Sequence, residues 1–82
     1  MNDVAKGNRA KTILEDELFQ EAVSEVAKAL VAEWQHSKNA QRREELWNQQ
    51  AALTKLVSNL TAYMENGVMA NHLTSTKEGF FK

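Results

Sequence analysis

The chain has 82 residues, with ten basic and eleven acidic side chains and no cysteine. A chain of this length forms one domain at most, and it usually needs disulfides, a metal or a partner to be stable. The lack of cysteine excludes disulfides and thiolate sites, and the near-neutral charge excludes a strong overall field that would attract nucleic acid or an anionic membrane.

The first residues, MNDVAKGNRAKT, are polar and lack the apolar core of a signal peptide. No apolar run in the chain approaches the roughly 20 residues of a membrane span. We therefore predict a soluble, intracellular protein with no membrane partner. Residues 1–9 are assigned to a flexible N-terminus.

A first long helix is predicted after these residues. Proline is absent and glycine occurs only at positions 7, 67 and 79, so residues 10–66 contain neither strong helix breaker. The segment TILE predicts the helix start, with Thr12 as the capping residue and Glu15 three positions later. Apolar residues then recur at steps of three and four, as in an amphipathic helix. This wide stripe predicts contact with more than one neighbouring helix and comprises Ile13, Leu14, Leu18, Phe19, Ala22, Val23, Val26, Ala27, Leu30, Val31 and Trp34.

The periodicity stops at HSKNAQ, where Ser37 or Asn39 can cap a second helix. That helix is predicted to end at Gly67, because glycine readily adopts the left-handed conformation of a helix C-terminus. Residues 68–73 would form a short third helix, and residues 74–82 a flexible tail. The predicted fold is all-α, an antiparallel helical hairpin of two long helices with a short third C-terminal helix, and residues 10–73 form its domain. The second apolar stripe comprises Leu46, Leu53, Leu56, Val57, Leu60, Tyr63 and Met64.

Two long helices side by side leave part of these wide stripes uncovered. A homodimer that forms a four-helix bundle, or docking onto a different protein, would cover the remainder. A monomer in which residues 68–73 fold back across the hairpin is the alternative.

Four aromatic residues are candidates for interaction. Antiparallel pairing would bring Trp34 and Trp47 to the same end of the hairpin, where the rings would clamp the turn. We favour this structural role over a partner-binding hot spot. Near the C-terminus, Phe80 and Phe81 follow a polar linker and are equally compatible with a docking anchor and with a disordered end.

The sequence contains no constellation that indicates catalysis. Glu33 precedes His36 by three residues, the one glutamate–histidine pair at a metal-ligand spacing, and we interpret it as a chance arrangement at a helix end. A glycine-rich phosphate loop and a nucleophile elbow are both missing. A two-helix hairpin also offers little concavity for a substrate. We predict no enzyme activity, no cofactor, no metal site and no small-molecule substrate.

A basic cluster of Lys38, Arg42 and Arg43 provides an alternative hypothesis of nucleic-acid binding by a helical bundle. Glu44 and Glu45 follow it directly. We favour a solvated helix end, given the near-neutral overall charge.

The order RAKTILEDELFQEA, EW, RREELW and NGVMANHL resembles a group of small, all-helical proteins of tailed phages and prophages. The likeness covers about residues 9–73, and its motifs are helix-packing residues. In this group an acidic or Asp-Thr segment often precedes the Arg-Glu-x-Leu-Trp stretch, and here HSKNAQ stands in its place. The resemblance implies a phage origin and brings no catalytic residues.

The function expected from these observations is protein–protein interaction by a non-enzymatic phage protein in virion (head) assembly or structure. It would act as a homo-oligomer or with another phage or host protein. Its expected location is the host cytoplasm or the virion. The alternatives are an inhibitor that binds a host or defence protein and the nucleic-acid-binding bundle.

Overall fold

The computed structural model describes the backbone of residues 1–80 and the side chains of residues 1–72. Three helices make up the described chain: α1 (Asp3–Glu15), α2 (Glu17–His36) and α3 (Ala40–Phe80). The molecule is elongated, with principal extents of 65 × 23 × 19 Å. Every element within residues 1–80 is a helix, so the predicted all-α class is confirmed.

The first helix begins earlier than the sequence predicts. Asn2 caps α1, since its Oδ1 accepts a hydrogen bond from the Ala5 N–H at 2.7 Å. Thr12 is not a capping residue, because it lies inside α1 and its hydroxyl donates to the Asn8 carbonyl at 3.1 Å. The segment assigned from sequence to a flexible N-terminus is therefore helical from Asp3 onwards.

A break at Asp16 separates α1 from α2. The Asp16 backbone is extended, with φ −67° and ψ 124°, and its carboxylate accepts a hydrogen bond from the Phe19 N–H at 2.8 Å. The Gln20 side chain donates to the Leu14 carbonyl at 2.8 Å and satisfies an acceptor near the end of α1. The prediction of one continuous helix is wrong here. An aspartate side chain can accept the hydrogen bond of a backbone amide in place of a helical carbonyl, so a helix can be interrupted without glycine or proline.

The turn between α2 and α3 confirms the predicted interruption. α2 ends at His36 and α3 begins at Ala40. Asn39 is the cap, since its Oδ1 accepts from the Arg42 N–H at 3.1 Å, while the Ser37 hydroxyl accepts from the Asn39 N–H at 3.3 Å. Both candidate capping residues thus take part in the turn.

α3 continues through Gly67 to Phe80 and, at 41 residues, is the longest helix. The predicted stop at Gly67, the separate short helix of residues 68–73 and the division into two long helices and a short third one are therefore wrong. Gly67 does not have a positive φ. It serves close packing instead: a Cβ added to Gly67 would lie 2.8 Å from the Gly7 Cα, and one added to Gly7 would lie 2.9 Å from the Tyr63 carbonyl oxygen.

Both α1 and α2 run antiparallel along α3. Their contacts with α3 descend its sequence as their own numbers rise: Gly7 meets Gly67, Phe19 shares a depression with Val57, and Glu33 bonds to Arg42. Wherever α1 or α2 lies beside α3, a cross-section of the described chain therefore contains one pair of helices.

This architecture leaves a very small core. Among the side chains of residues 1–72, the buried apolar ones are Ala10 and Leu46. None of the described helices is long and apolar enough to cross a membrane. The large apolar side chains that the described part of the chain leaves exposed are Met1, Ile13, Leu18, Val26, Trp34, Trp47, Leu56, Tyr63, Val68 and Met69.

Candidate interaction surfaces

Arg42 joins the end of α2 to the start of α3. Its Nε and Nη2 donate to Glu33 Oε1 at 3.0 and 2.9 Å, and its Nη1 donates to Glu45 Oε2 at 3.2 Å. The hydrogen bond to Glu33, and then that to Glu45, raise the pKa of the Arg42 guanidinium above its usual value. This cation is already engaged by two carboxylates.

Trp34 and Trp47 lie together near the turn between α2 and α3, on a different side of the molecule from the contacts of Arg42 with Glu33 and Glu45. The Arg43 guanidinium carbon is 4.1 Å from the centroid of the Trp34 ring, which is a cation–π contact. Trp34, Arg43 and Trp47 line one open depression of about 450 Å³. Arg43, and not the second indole, is the group stacked on Trp34, and Trp47 is 62% exposed. The pair thus combines a ring that is stacked against Arg43, although it is 36% exposed, with a second ring that is more exposed.

The three cations of the nucleic-acid hypothesis are in different environments. Lys38 is exposed, Arg42 is bonded to Glu33 and Glu45, and Arg43 is stacked on Trp34. The Arg43 Nε is buried and makes no hydrogen bond. A phosphate that approached Arg42 would have to compete with two carboxylates.

The C-terminal aromatic candidates cannot be placed in a surface. The side chain of Phe80 and the whole of Phe81 lie outside the described residues. Their assignment as an interaction anchor stays a prediction.

The described residues hold no group of three or more His, Asp and Glu side chains that could bind a metal ion. His36 ends α2, and the Glu33 carboxylate three residues before it accepts hydrogen bonds from Arg42. The glutamate of this pair is thus already bonded to a cation.

An exposed apolar surface starts at the Arg42 cluster, which consists of Arg42, Glu33 and Glu45. Glu33 and Glu45 meet at one guanidinium, so the helix rows that begin at these two residues lie side by side on α2 and α3. The exposure of Leu18, Val26 and Leu56 is 72%, 49% and 54%. At steps of three and four from the two glutamates, the rows contain the uncharged Gln49 and the apolar residues that we name the central apolar face: Leu18, Ala22, Val26, Ala29, Ala52 and Leu56.

This face has defined ends. The Arg42 cluster closes one end. At the other end the Lys6 Nζ lies 4.6 Å from the centroid of the Tyr63 ring, and Tyr63 follows Leu56 on the same side of α3. Trp34 and Arg43 come one residue after Glu33 and Arg42, hence about 100° further around each helix. The tryptophan depression and the central apolar face are therefore on different sides of the molecule.

Sequence reasoning predicted that part of the two stripes stays uncovered, but it did not identify the residues of the central apolar face. It assigned Val26 and Leu56 to the stripes that hold the helices together, because their spacing matches that of the packed residues. The great width of the first stripe was the one feature that indicated a second surface.

Comparisons of the chain with protein-family models, with curated proteins and with solved structures give no match. The class that the described residues define is an all-helical protein with two antiparallel layers and an exposed apolar face.

Proposed function

We propose that this chain is non-enzymatic and acts by binding another polypeptide through its exposed apolar surface. The observation that carries the proposal is the imbalance between the buried and the exposed apolar residues of the described chain. Full burial of one valine or leucine side chain stabilises a protein by roughly 1.5–3 kcal/mol. A contiguous apolar patch on a small protein therefore indicates a site that a partner covers.

The setting that we propose is a phage particle, where the chain would contribute to head assembly or structure. The support is the resemblance of residues 9–73 to small helical proteins of tailed phages and prophages. A thin helical rod with an apolar side is suited to packing against other helices. The proposed location is the host cytoplasm during assembly and the virion afterwards.

Mass spectrometry of purified particles tests this proposal. Particles produced from the genome that encodes the chain are expected to contain its peptides in a fixed ratio to the major head protein. Protease treatment of intact particles before disruption removes adhering host proteins and serves as the control. The chain's absence from particles, together with a stoichiometric complex with a host or defence enzyme, would instead identify it as an inhibitor.

The nucleic-acid alternative has its own test. Binding to DNA or RNA with a steep salt dependence, lost in the Arg42→Ala plus Arg43→Ala variant, would favour it. The engagement of Arg42 by Glu33 and Glu45 supports the polypeptide-binding proposal over this alternative.

A further inference from the structure

We infer that the partner at the central apolar face is a second copy of this chain, related by a twofold axis parallel to the helices. In this arrangement α2 of one copy lies on α3 of the other, and every neighbouring pair of helices is antiparallel. The inference rests on the proposed function and names the partner and the geometry. Its support comes from the size, the shape and the charges of the face.

The face is large enough for a dimer. α2 and the part of α3 beside it are each about 30 Å long, and two adjacent helices are about 20 Å wide. Their projected area is on the order of 600 Å², and side-chain relief brings it close to the roughly 800 Å² that each partner contributes to a standard interface. The six residues of the face carry no charge, so one copy does not repel the other within it.

The shape of the face is self-complementary under this axis. Phe19 and Val23 of α2 share a depression with Val57 of α3. Because the two helices are antiparallel, a residue of α2 and a residue of α3 lie at the same level along the long axis when their numbers add up to between about 75 and 80. A twofold axis parallel to the helices keeps each level and exchanges α2 for α3. Val26 of one copy then lies opposite the small Ala52 of its partner, and Leu56 lies opposite the small Ala22. Large residues facing small ones are what interdigitated helix packing requires.

The charges at the edges of the face are also complementary. Lys55 on α3 lies level with Glu21 and Glu25 on α2, on the opposite edge of the same molecule. Within the described part of the chain, the side chains of these three residues make no ion pair and no hydrogen bond. The twofold axis brings the Lys55 edge of one copy beside the acidic edge of the other. Each ion pair then forms twice in the dimer.

Sedimentation equilibrium of the full chain measures the dimer dissociation constant, with helix content followed by circular dichroism. Ala52→Glu places a charge in the interface and is expected to raise the dissociation constant by on the order of a hundredfold, because a buried charge without a partner is strongly unfavourable. Ala51→Glu is the matched control. Ala51 is also exposed, but it lies outside the central apolar face. It lines a separate depression with Trp47 and Thr54, on the side of α3 that faces away from the proposed interface. We expect Ala51→Glu to leave the dissociation constant unchanged.

Charge reversal tests the geometry at positions that are exposed in the single chain. Lys55→Glu and Glu25→Lys are each expected to raise the dissociation constant by about tenfold, since a weak surface pair is lost twice and replaced by repulsion. The combined variant restores the dissociation constant of the original chain. Lys28→Glu is the control, because Lys28 lines a separate depression with Ala27 and Val31.

Restoration in the combined variant, with no effect of Lys28→Glu, establishes the proposed dimer. A dimer that is insensitive to Lys55→Glu but weakened by Lys28→Glu would overturn the geometry, because α2 would then pack on α2, and polypeptide binding itself would stand. A chain that remains monomeric at its highest soluble concentration would overturn the inference of a second copy. The particle measurement would then decide the proposed function separately.

Discussion

Gly7 and Gly67 allow the backbones of α1 and α3 to touch. Neither glycine has a positive φ, so neither is needed for a turn or a helix end. A glycine within a helix is about 0.5–1 kcal/mol less favourable than an alanine. This cost is offset by the close approach of the two helix backbones. A Cβ at either position would lie 2.8 Å from the other residue's Cα, so only glycine allows this contact.

Gly67→Ala is therefore expected to lower the free energy of unfolding by roughly 1–3 kcal/mol, the usual range for overpacking, despite a gain of up to about 1 kcal/mol in helix propensity. Urea denaturation followed by circular dichroism measures the change. Asn66→Ala is the control, because Asn66 is the exposed neighbour in the same helix and gains propensity without a clash. A Gly67→Ala chain as stable as Asn66→Ala would contradict the close contact.

At the scale of the helices, the break at Asp16 lets α1 and α2 pack on α3 differently. α1 meets α3 through glycine backbone, whereas α2 meets it through side chains such as Phe19, which lies beside Val57. The distance between two packed helices depends on the side chains at their contact. Two short helices can adopt two distances from α3 more easily than one straight helix.

Asp16→Ala should lower the free energy of unfolding by about 1 kcal/mol, within the usual 0.5–2 kcal/mol for a lost N-cap. The Phe19 amide would lose its 2.8 Å hydrogen bond to the Asp16 carboxylate, and its hydrogen exchange should become faster. Asp16→Asn keeps the Oδ1 acceptor and is expected to differ from the original chain by a few tenths of a kcal/mol. Equal losses in the two variants would show that the cap does not stabilise α2.

The whole molecule is a rod, 65 Å long and 19–23 Å across, with little interior. Ala10 and Leu46 are the buried apolar residues of its described part. Two helices side by side can bury only the seam between them, since the outer side of each helix is in contact with water. Association is the direct way for such a chain to increase its buried apolar surface.

If the chain associates with itself, its thermal stability must depend on concentration, because mass action favours the folded oligomer. We expect the unfolding midpoint to rise by roughly 3–5 °C for each tenfold increase in protein concentration, for a dimer of this size. Circular dichroism and scanning calorimetry over several dilutions measure this shift. The Ala52→Glu variant serves as the comparison and should show a smaller dependence. A midpoint that stays constant over all dilutions would be evidence against self-association.

Features that depend on neighbouring residues could be predicted from the sequence. The helical class and the interruption after His36 follow from apolar spacing, and a cap at Ser37 or Asn39 follows from a side-chain acceptor a few residues before an amide. The proximity of Trp34 and Trp47 follows from antiparallel pairing across this short turn. These interactions act over a few residues, so a local pattern contains them.

The tertiary structure alone decided the features that depend on residues far apart in the sequence. Gly67 is compatible with a helix end and with a close crossing, and the presence of Gly7 in α1 selects the crossing. Val26 and Leu56 have the spacing of packed residues, yet they remain exposed because a single pair of helices cannot cover stripes this wide. The sequence by itself determined that the chain forms amphipathic helices with a turn at residues 37–39. The packing of those helices determined which apolar residues remain uncovered, because burial depends on the number of neighbouring helices and not on the spacing along one of them.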